Sequence, residues 1–299
     1  MKFAFIHTGI DVEISATQRE KAPASWPPLG ILYVATFLRD NGVEVSVLDQ
    51  AAKGLSLKDT VSWVKRDDPD ILGFSTLSCS GKTAAKIAKL AKEENPNLKI
   101  VFGNYHATFN AERILKKYPF VDAVVEKEGE LTALELAESI EKGADLDGVH
   151  GIYFRKNGRI VSTPERPLEK NIDFLPFPDR GLLDVEYRST MFGLDLATER
   201  FTTVLTSRGC PYRCSFCGCM KIAHGVWRPR SVENVLGELK MLEDKGYRQV
   251  LFVDDNYTVN KKRLFELCQR MRAEKIDLEW ICESRVDNCS TEMIRFMVK

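Results

Sequence analysis

From its first residues, this 299-residue chain alternates short apolar runs with longer amphipathic stretches. The runs at 2–7, 43–48, 70–75, 99–102 and 121–125 are mainly apolar, as parallel strands covered on both faces are. Between them, 29–41, 57–66, 81–94, 107–117 and 130–142 carry helical spacing. Asp68-Pro69 and Asn95-Pro96-Asn97 supply turn chemistry that stops a helix just ahead of the next strand. Such alternation predicts an α/β fold: a doubly wound, parallel, five-stranded sheet, Rossmann-like or flavodoxin-like. Its ligand site should lie beyond the carboxyl ends of the strands, at the switch point.

The pattern changes after residue 145. Asn157-Gly158 is a hairpin turn signal between two short extended runs. The proline-rich passage from Pro164 to Pro178 then reads as a stiff connector. Alternation resumes at Phe201, with strands expected at 202–206, 249–253 and 278–282. Helices are expected at 231–245, at 261–274 and from Ser290 onward. The expected division is a first domain at 1–145, a hairpin and linker at 146–200, and a second domain at 201–299.

Three cysteines stand in Thr206-Ser-Arg-Gly-Cys-Pro-Tyr-Arg-Cys-Ser-Phe-Cys-Gly218, just after the first strand of the second domain. Intervals of three and two residues let one loop wrap Cys210, Cys214 and Cys217 around one face of an iron–sulfur cluster. A four-iron cluster normally takes four thiolates, so three leave one iron open. Zinc is the competing reading, but it wants four ligands in paired groups. The nearby candidates are Cys219, too close to Cys217 for that pairing, and His224. A disulfide framework fits poorly, because eight cysteines without a secretory signal point to a reducing compartment. Cys79, Cys268, Cys282 and Cys289 read as small buried hydrophobes.

Lys plus Arg and Asp plus Glu both number 43, a balance that gives no support to a nucleic-acid partner. The N-terminal Met-Lys-Phe-Ala-Phe-Ile reads as a strand and not as a signal peptide, and no run is long enough for a transmembrane helix. A cytoplasmic location is expected. Ser80-Gly81-Lys82-Thr83 is no phosphate-binding P-loop, since position 76 is Thr where that loop needs Gly. No Gly-x-Gly-x-x-Gly follows the first strand, so a dinucleotide site has no support. His106 reads as a hydrogen-bonding loop residue, and His150 and His224 offer no constellation.

The run Cys-x3-Cys-x-aromatic-Cys, with Gly209, Pro211, Phe216 and Gly218 around it, resembles the cluster loop of the radical S-adenosylmethionine (SAM) enzymes. That resemblance implies a [4Fe–4S] cluster on Cys210, Cys214 and Cys217 as the catalytic centre, with SAM on the open iron and Phe216 beside it. The three βα units after Phe201 resemble the start of the family's partial TIM barrel, where catalytic groups come from the carboxyl ends of strands. At those ends stand Asp254-Asp255 and Glu283-Ser-Arg285. The resemblance gives them polar contacts to SAM, one of the two aspartates holding its amino group and Arg285 suited to its carboxylate.

The first domain resembles the cobalamin-binding domain of radical SAM methyltransferases. Ser75-Thr-Leu77 matches the Ser-x-Leu at one strand end, and Gly103-Asn104 stands where the family has Gly-Gly. The resemblance implies a serine hydroxyl on the cofactor's tail base, and glycines that let the nucleotide lie close. Asn104 departs from that pattern. Trp26-Pro-Pro-Leu-Gly-Ile-Leu-Tyr33, Phe102 to Phe109, and Glu128-Gly129-Glu-Leu-Thr132 extend the likeness, and Gly129 is a further expected cofactor contact. Asp-x-His-x-x-Gly, which supplies a histidine to cobalt, is absent, as the resemblance predicts.

The implied activity is reductive cleavage of SAM to start radical chemistry, with methyl transfer to an unactivated carbon. A cyclisation or rearrangement like that of anaerobic magnesium-protoporphyrin cyclase is the alternative. A non-catalytic cobalamin- and cluster-binding protein is a third reading. A small-molecule substrate and a flavodoxin- or ferredoxin-type electron donor are the implied partners. Against the family's six βα units, three are counted here, so the chain reads as C-terminally truncated and weak in turnover by itself.

Overall fold

A computed structural model of the chain describes residues 1–10, 26–187, 190–191, 194–195 and 199–298. Seven residues of the expected linker, and Lys299 at the end of the expected last helix, lie outside the described residues. The chain divides into two compact units. Pro176–Val185 belongs to the first, and Leu168–Leu175 and Glu186–Lys299 belong to the second.

In the first unit, β1 (Lys2–His7), β2 (Glu44–Asp49), β3 (Ile71–Ser75), β4 (Lys99–Gly103) and β5 (Ala123–Val125) are parallel. Their order is β2-β1-β3-β4-β5, the flavodoxin-like one, with its switch point between β1 and β3. The Asn157-Gly158 hairpin forms, with both residues at positive φ as a two-residue turn requires. Its strands, β6 (Ile152–Lys156) and β7 (Arg159–Ser162), are part of the sheet and not of a linker. They extend it to seven strands, β6 antiparallel to β5 and β7 antiparallel to β6. Ile152 and Phe154 are buried there, which draws the hairpin onto the sheet edge.

Each face of the sheet has its own core. Phe3, Phe5, Ile71 and Val101 pack on α1 (Leu29–Asp40) and α5 (Glu130–Glu141). Ala4, Ile6, Leu72, Phe74, Ile100 and Phe102 face α2 (Leu57–Asp67), α3 (Gly81–Glu94) and α4 (Asn104–Lys117). Adjacent residues thus serve opposite faces. Phe3 and Phe5 stack at 4.3 Å, and a Cβ at Gly73 of β3 would come within 2.8 Å of the Phe3 ring. Register aligns His7, Asp49, Ser75 and Gly103 at the carboxyl edge.

In the second unit, β8 (Phe201–Val204), β9 (Gln249–Phe252) and β10 (Glu279–Cys282) form a parallel sheet in that order. Between β8 and β9 come the short α6 (Cys219–Ala223) and α7 (Val232–Asp244). Between β9 and β10 lies α8 (Lys261–Ala273), and α9 (Thr291–Met297) follows β10. Ser231, Asn260 and Ser290 cap α7, α8 and α9, each accepting from the backbone N–H of the third residue of its helix. Among the described residues, no helix is long and apolar enough to cross a membrane.

Candidate functional site

The cysteine loop leaves the end of β8 and returns to α7 through a small ribbon that pairs Ser207 with Pro229 and Arg208 with Arg228. Gly209 begins the loop at φ +82°, where a Cβ would stand 2.2 Å from the Val226 carbonyl oxygen. Glycine is therefore obligatory at that crossing. Cys210 is buried, Cys214 half-buried and Cys217 exposed. Burial pushes the Cys210 thiol up, and the neighbouring Asp255, Cys217 and Cys214 push it the same way. Among the described residues, no three metal-ligating side chains are drawn together around a single ion. A cluster differs from a single ion because its thiolates sit on separate irons. Three cysteines spread along one loop and close enough to feel one another suit such a group.

Asp254 is 2% exposed. It accepts from Thr206 N at 2.7 Å, Thr206 Oγ1 at 2.6 Å and Ser207 Oγ at 2.5 Å. Both carboxylate oxygens are thus committed to the start of the cysteine loop. Burial raises its pKa, against the lowering effect of those bonds. The same strand end is braced by Arg263, which donates to Thr206 O at 3.0 Å, and by Arg230, which donates to Leu205 O at 2.8 Å and pairs with buried Glu238. None of these supports was assigned from the sequence. Thr206 and Ser207 beside the cysteine run, and the acidic pair after β9, were the available signal.

Asp255 is exposed and accepts from Gly209 N at 3.1 Å. Cys219, 6% exposed, bonds the Asp255 carboxylate, and burial above all pushes its thiol far up. Glu283 is exposed after β10, and Phe216 stands 90% exposed between Cys214 and Cys217. Arg285, expected to meet a carboxylate of SAM, already binds one in Asp287, with Nε donating to Oδ1 at 2.9 Å. It also donates to Cys214 Sγ at 2.7 Å. The unit thereby gathers Cys210, Cys214, Cys217, Asp255 and Arg285 by direct or near contact, while Asp254 points inward.

In the first unit, Ser75 and Gly103 end β3 and β4, Leu77 lies in the loop after β3, and Asn104 begins α4 directly after β4. Asn104 adopts the left-handed conformation, at φ +75°. Its Nδ2 donates to Ser75 Oγ at 2.8 Å, and its Oδ1 accepts from Tyr105 N at 2.6 Å. A Cβ at Gly103 would meet nothing nearer than Val125 O at 3.9 Å, so the space there is open. Leu77 on the loop after β3 and Tyr105 and Phe109 in the first turns of α4 are exposed. An open, partly apolar shelf with a serine hydroxyl suits a large flat cofactor with a polar tail. Gly129 is different: a Cβ there would press Val34 of α1 at 3.3 Å, a packing reason for the glycine. The His106 ring lies 3.3 Å from Ser78 Oγ, and burial above all lowers its pKa.

Two family models match the chain: the B12 binding domain over residues 18–137 and the Radical SAM superfamily over residues 204–299. The chain is a radical SAM protein with a B12 binding domain. This radical SAM protein is 36% identical over 91% of its length to an uncharacterized methyltransferase of Pyrococcus horikoshii, covering 58% of that relative. It is 30% identical over 88% of its length to the anaerobic magnesium-protoporphyrin IX monomethyl ester cyclase of Rubrivivax gelatinosus, covering 47% of it. Thus the chain spans about half the length of the curated relatives it matches. In fold it resembles the cobalamin-dependent SAM radical enzyme OxsB, with a TM-score of 0.75 at 20% identity, over 99% of this chain and 42% of that one. The α/β architecture expected from the alternation is the architecture found.

Proposed function

We propose that this protein is a cobalamin-dependent radical SAM enzyme that transfers a methyl group to an unactivated carbon of a small molecule. The observation that carries the reading is the cysteine run after β8, preceded in the same chain by a B12 binding domain. When bound, the cluster with SAM supplies a carbon-centred radical, and cobalamin supplies a methyl group.

Cys210, Cys214 and Cys217 hold the cluster. Asp254 does not touch SAM; it fixes the strand end from which the loop departs. Asp255 and Glu283 offer exposed carboxylates for the SAM amino group, and Phe216 offers an aromatic face beside it. On the first unit, Ser75 donates to the cobalamin tail, Gly103 and Asn104 leave room for the nucleotide, and Leu77 gives it an apolar neighbour. Gly129 completes the loop after β5. The cytoplasm, with a flavodoxin- or ferredoxin-type electron donor, fits chemistry that needs a strong reductant.

Ring closure of the cyclase kind is the second reading, favoured by the 30% identity to the Rubrivivax cyclase. One assay separates the two. With an accepted substrate, anaerobic turnover by methyl transfer yields both 5′-deoxyadenosine and S-adenosylhomocysteine, about one of each per product. Formation of 5′-deoxyadenosine with no S-adenosylhomocysteine would favour cyclisation.

A further inference from the structure

Arg285 is held from three sides. Nη1 donates to Cys214 Sγ at 2.7 Å, Nε donates to Asp287 Oδ1 at 2.9 Å, and the guanidinium lies 4.3 Å from the centre of the Tyr212 ring. Tyr212 and Cys214 belong to the cysteine loop, whereas Arg285 and Asp287 follow β10, so the contact joins residues 71 apart in sequence. An arginine clamped by a carboxylate on one edge and an aromatic ring on its face presents its remaining N–H in a fixed direction. That N–H points at sulfur.

We infer that Arg285 is a positioning residue that raises the reduction potential of the cluster through the Cys214 sulfur. The inference rests on reading Cys214 as a cluster ligand. Hydrogen bonds to the sulfurs, and the net charge around them, set the potentials of iron–sulfur clusters. An added electron increases the negative charge on the thiolate sulfurs. A directed N–H and a fixed cation at one of them therefore stabilise the reduced form more than the oxidised one. Asp287 offsets part of the cation's charge, so the directed N–H carries the larger share. Tyr212 keeps the guanidinium plane in place. Sequence alone suggested a contact to SAM for this arginine; the geometry directs it to the cluster's own ligand.

The test is a redox titration of the anaerobically reconstituted 299-residue chain without SAM, read by cluster absorbance and electron paramagnetic resonance. Arg285→Met retains a side chain that packs on Tyr212 but has neither charge nor donor. It should make reduction less favourable by about tenfold in the one-electron equilibrium, or about 59 mV. Arg285→Lys, which keeps the charge without the planar fork, should fall between it and the unsubstituted protein. Both midpoints are measured on whatever fraction of chains carries the cluster. Midpoints equal to that of the unsubstituted protein overturn the inference. So does a shift that appears only once SAM is added, because the arginine would then act through SAM. Cys214→Ala separates the underlying reading. Full iron content in that variant overturns the ligand assignment and the inference with it. Iron loss there, with an unshifted Arg285→Met midpoint, overturns the inference alone.

Discussion

Asn104 Nδ2 donates to Ser75 Oγ across 2.8 Å, from the first residue of α4 to the last residue of β3. The serine oxygen is the acceptor, so its own proton is free to be donated outward, toward whatever occupies the shelf. Asn104 also takes the φ +75° conformation that a glycine would take there without strain. The departure from the Gly-Gly pattern therefore preserves the backbone and adds an orienting amide.

Ser75→Ala should weaken cobalamin binding by about fivefold, the worth of one hydrogen bond of about 1 kcal/mol. Asn104→Gly should weaken it by a smaller factor, because it removes only the orientation of the hydroxyl. Neither should alter binding of cobinamide, the same corrin without its nucleotide tail. Absorbance titrations with both corrinoids check this. An equal loss for cobinamide would mean that Ser75 does not meet the tail.

Asp254 and Asp255 should separate on stability. Asp254→Asn replaces an oxygen that accepts from buried hydroxyls with a donor, at a cost of about 2–3 kcal/mol. Asp255→Asn, at an exposed site, should cost under about 1 kcal/mol. Burial raises the Asp254 carboxyl above its ordinary 3.8. The folded chain therefore binds that proton more tightly than the unfolded one does. This contribution is full below the ordinary value and declines as pH rises through the raised folded one. The deficit of Asp254→Asn should therefore be largest in acid and should narrow toward neutrality. Urea midpoints across that range measure it, and a deficit that widens with pH would show the sign to be wrong.

Much of this was legible in the sequence, for identifiable reasons. Runs such as 99–102 read as strands because both faces of a parallel strand are covered, which leaves few polar positions. Their spatial order was not legible, since pairing is decided between distant segments. Asn157-Gly158 announced a turn, but not that Ile152 and Phe154 would carry the hairpin onto β5. At the end of β9 the sequence offered two adjacent carboxylates. Only packing shows that the first turns inward to Thr206 and Ser207 while the second stays exposed. Arg285 was legible as a functional arginine, but its partner on another loop was not.

Two glycines of the cysteine loop should respond differently to alanine. Gly209 and Gly225 are both at positive φ, +82° and +75°. A Cβ at 209 would clash with Val226 O at 2.2 Å, whereas one at 225 meets Met220 Sδ at an ordinary 3.5 Å. Gly225→Ala should cost about 1 kcal/mol, the backbone strain alone. Gly209→Ala adds a backbone clash, and should exceed about 3 kcal/mol and deplete iron. Thermal midpoints and iron assays on the two variants decide it; equal losses would mean that the close crossing is not what requires glycine.

The last expectation concerns which thiols matter. Cys210, Cys214 and Cys217 run from buried to exposed along the outer turn of the loop. Cys219 turns inward, packs with Cys210 and Ala223, and is bonded to Asp255. Cys219→Ala should therefore leave iron content and cluster absorbance unchanged, with a stability loss of about 1 kcal/mol from its buried sulfur. Alanine at any of the other three should abolish the absorbance, because one iron of the cluster then lacks its thiolate. Iron and acid-labile sulfide, measured after anaerobic reconstitution of all four variants, are the readout. Loss of iron in Cys219→Ala equal to that in Cys217→Ala would make Cys219 a ligand and overturn the three-cysteine assignment.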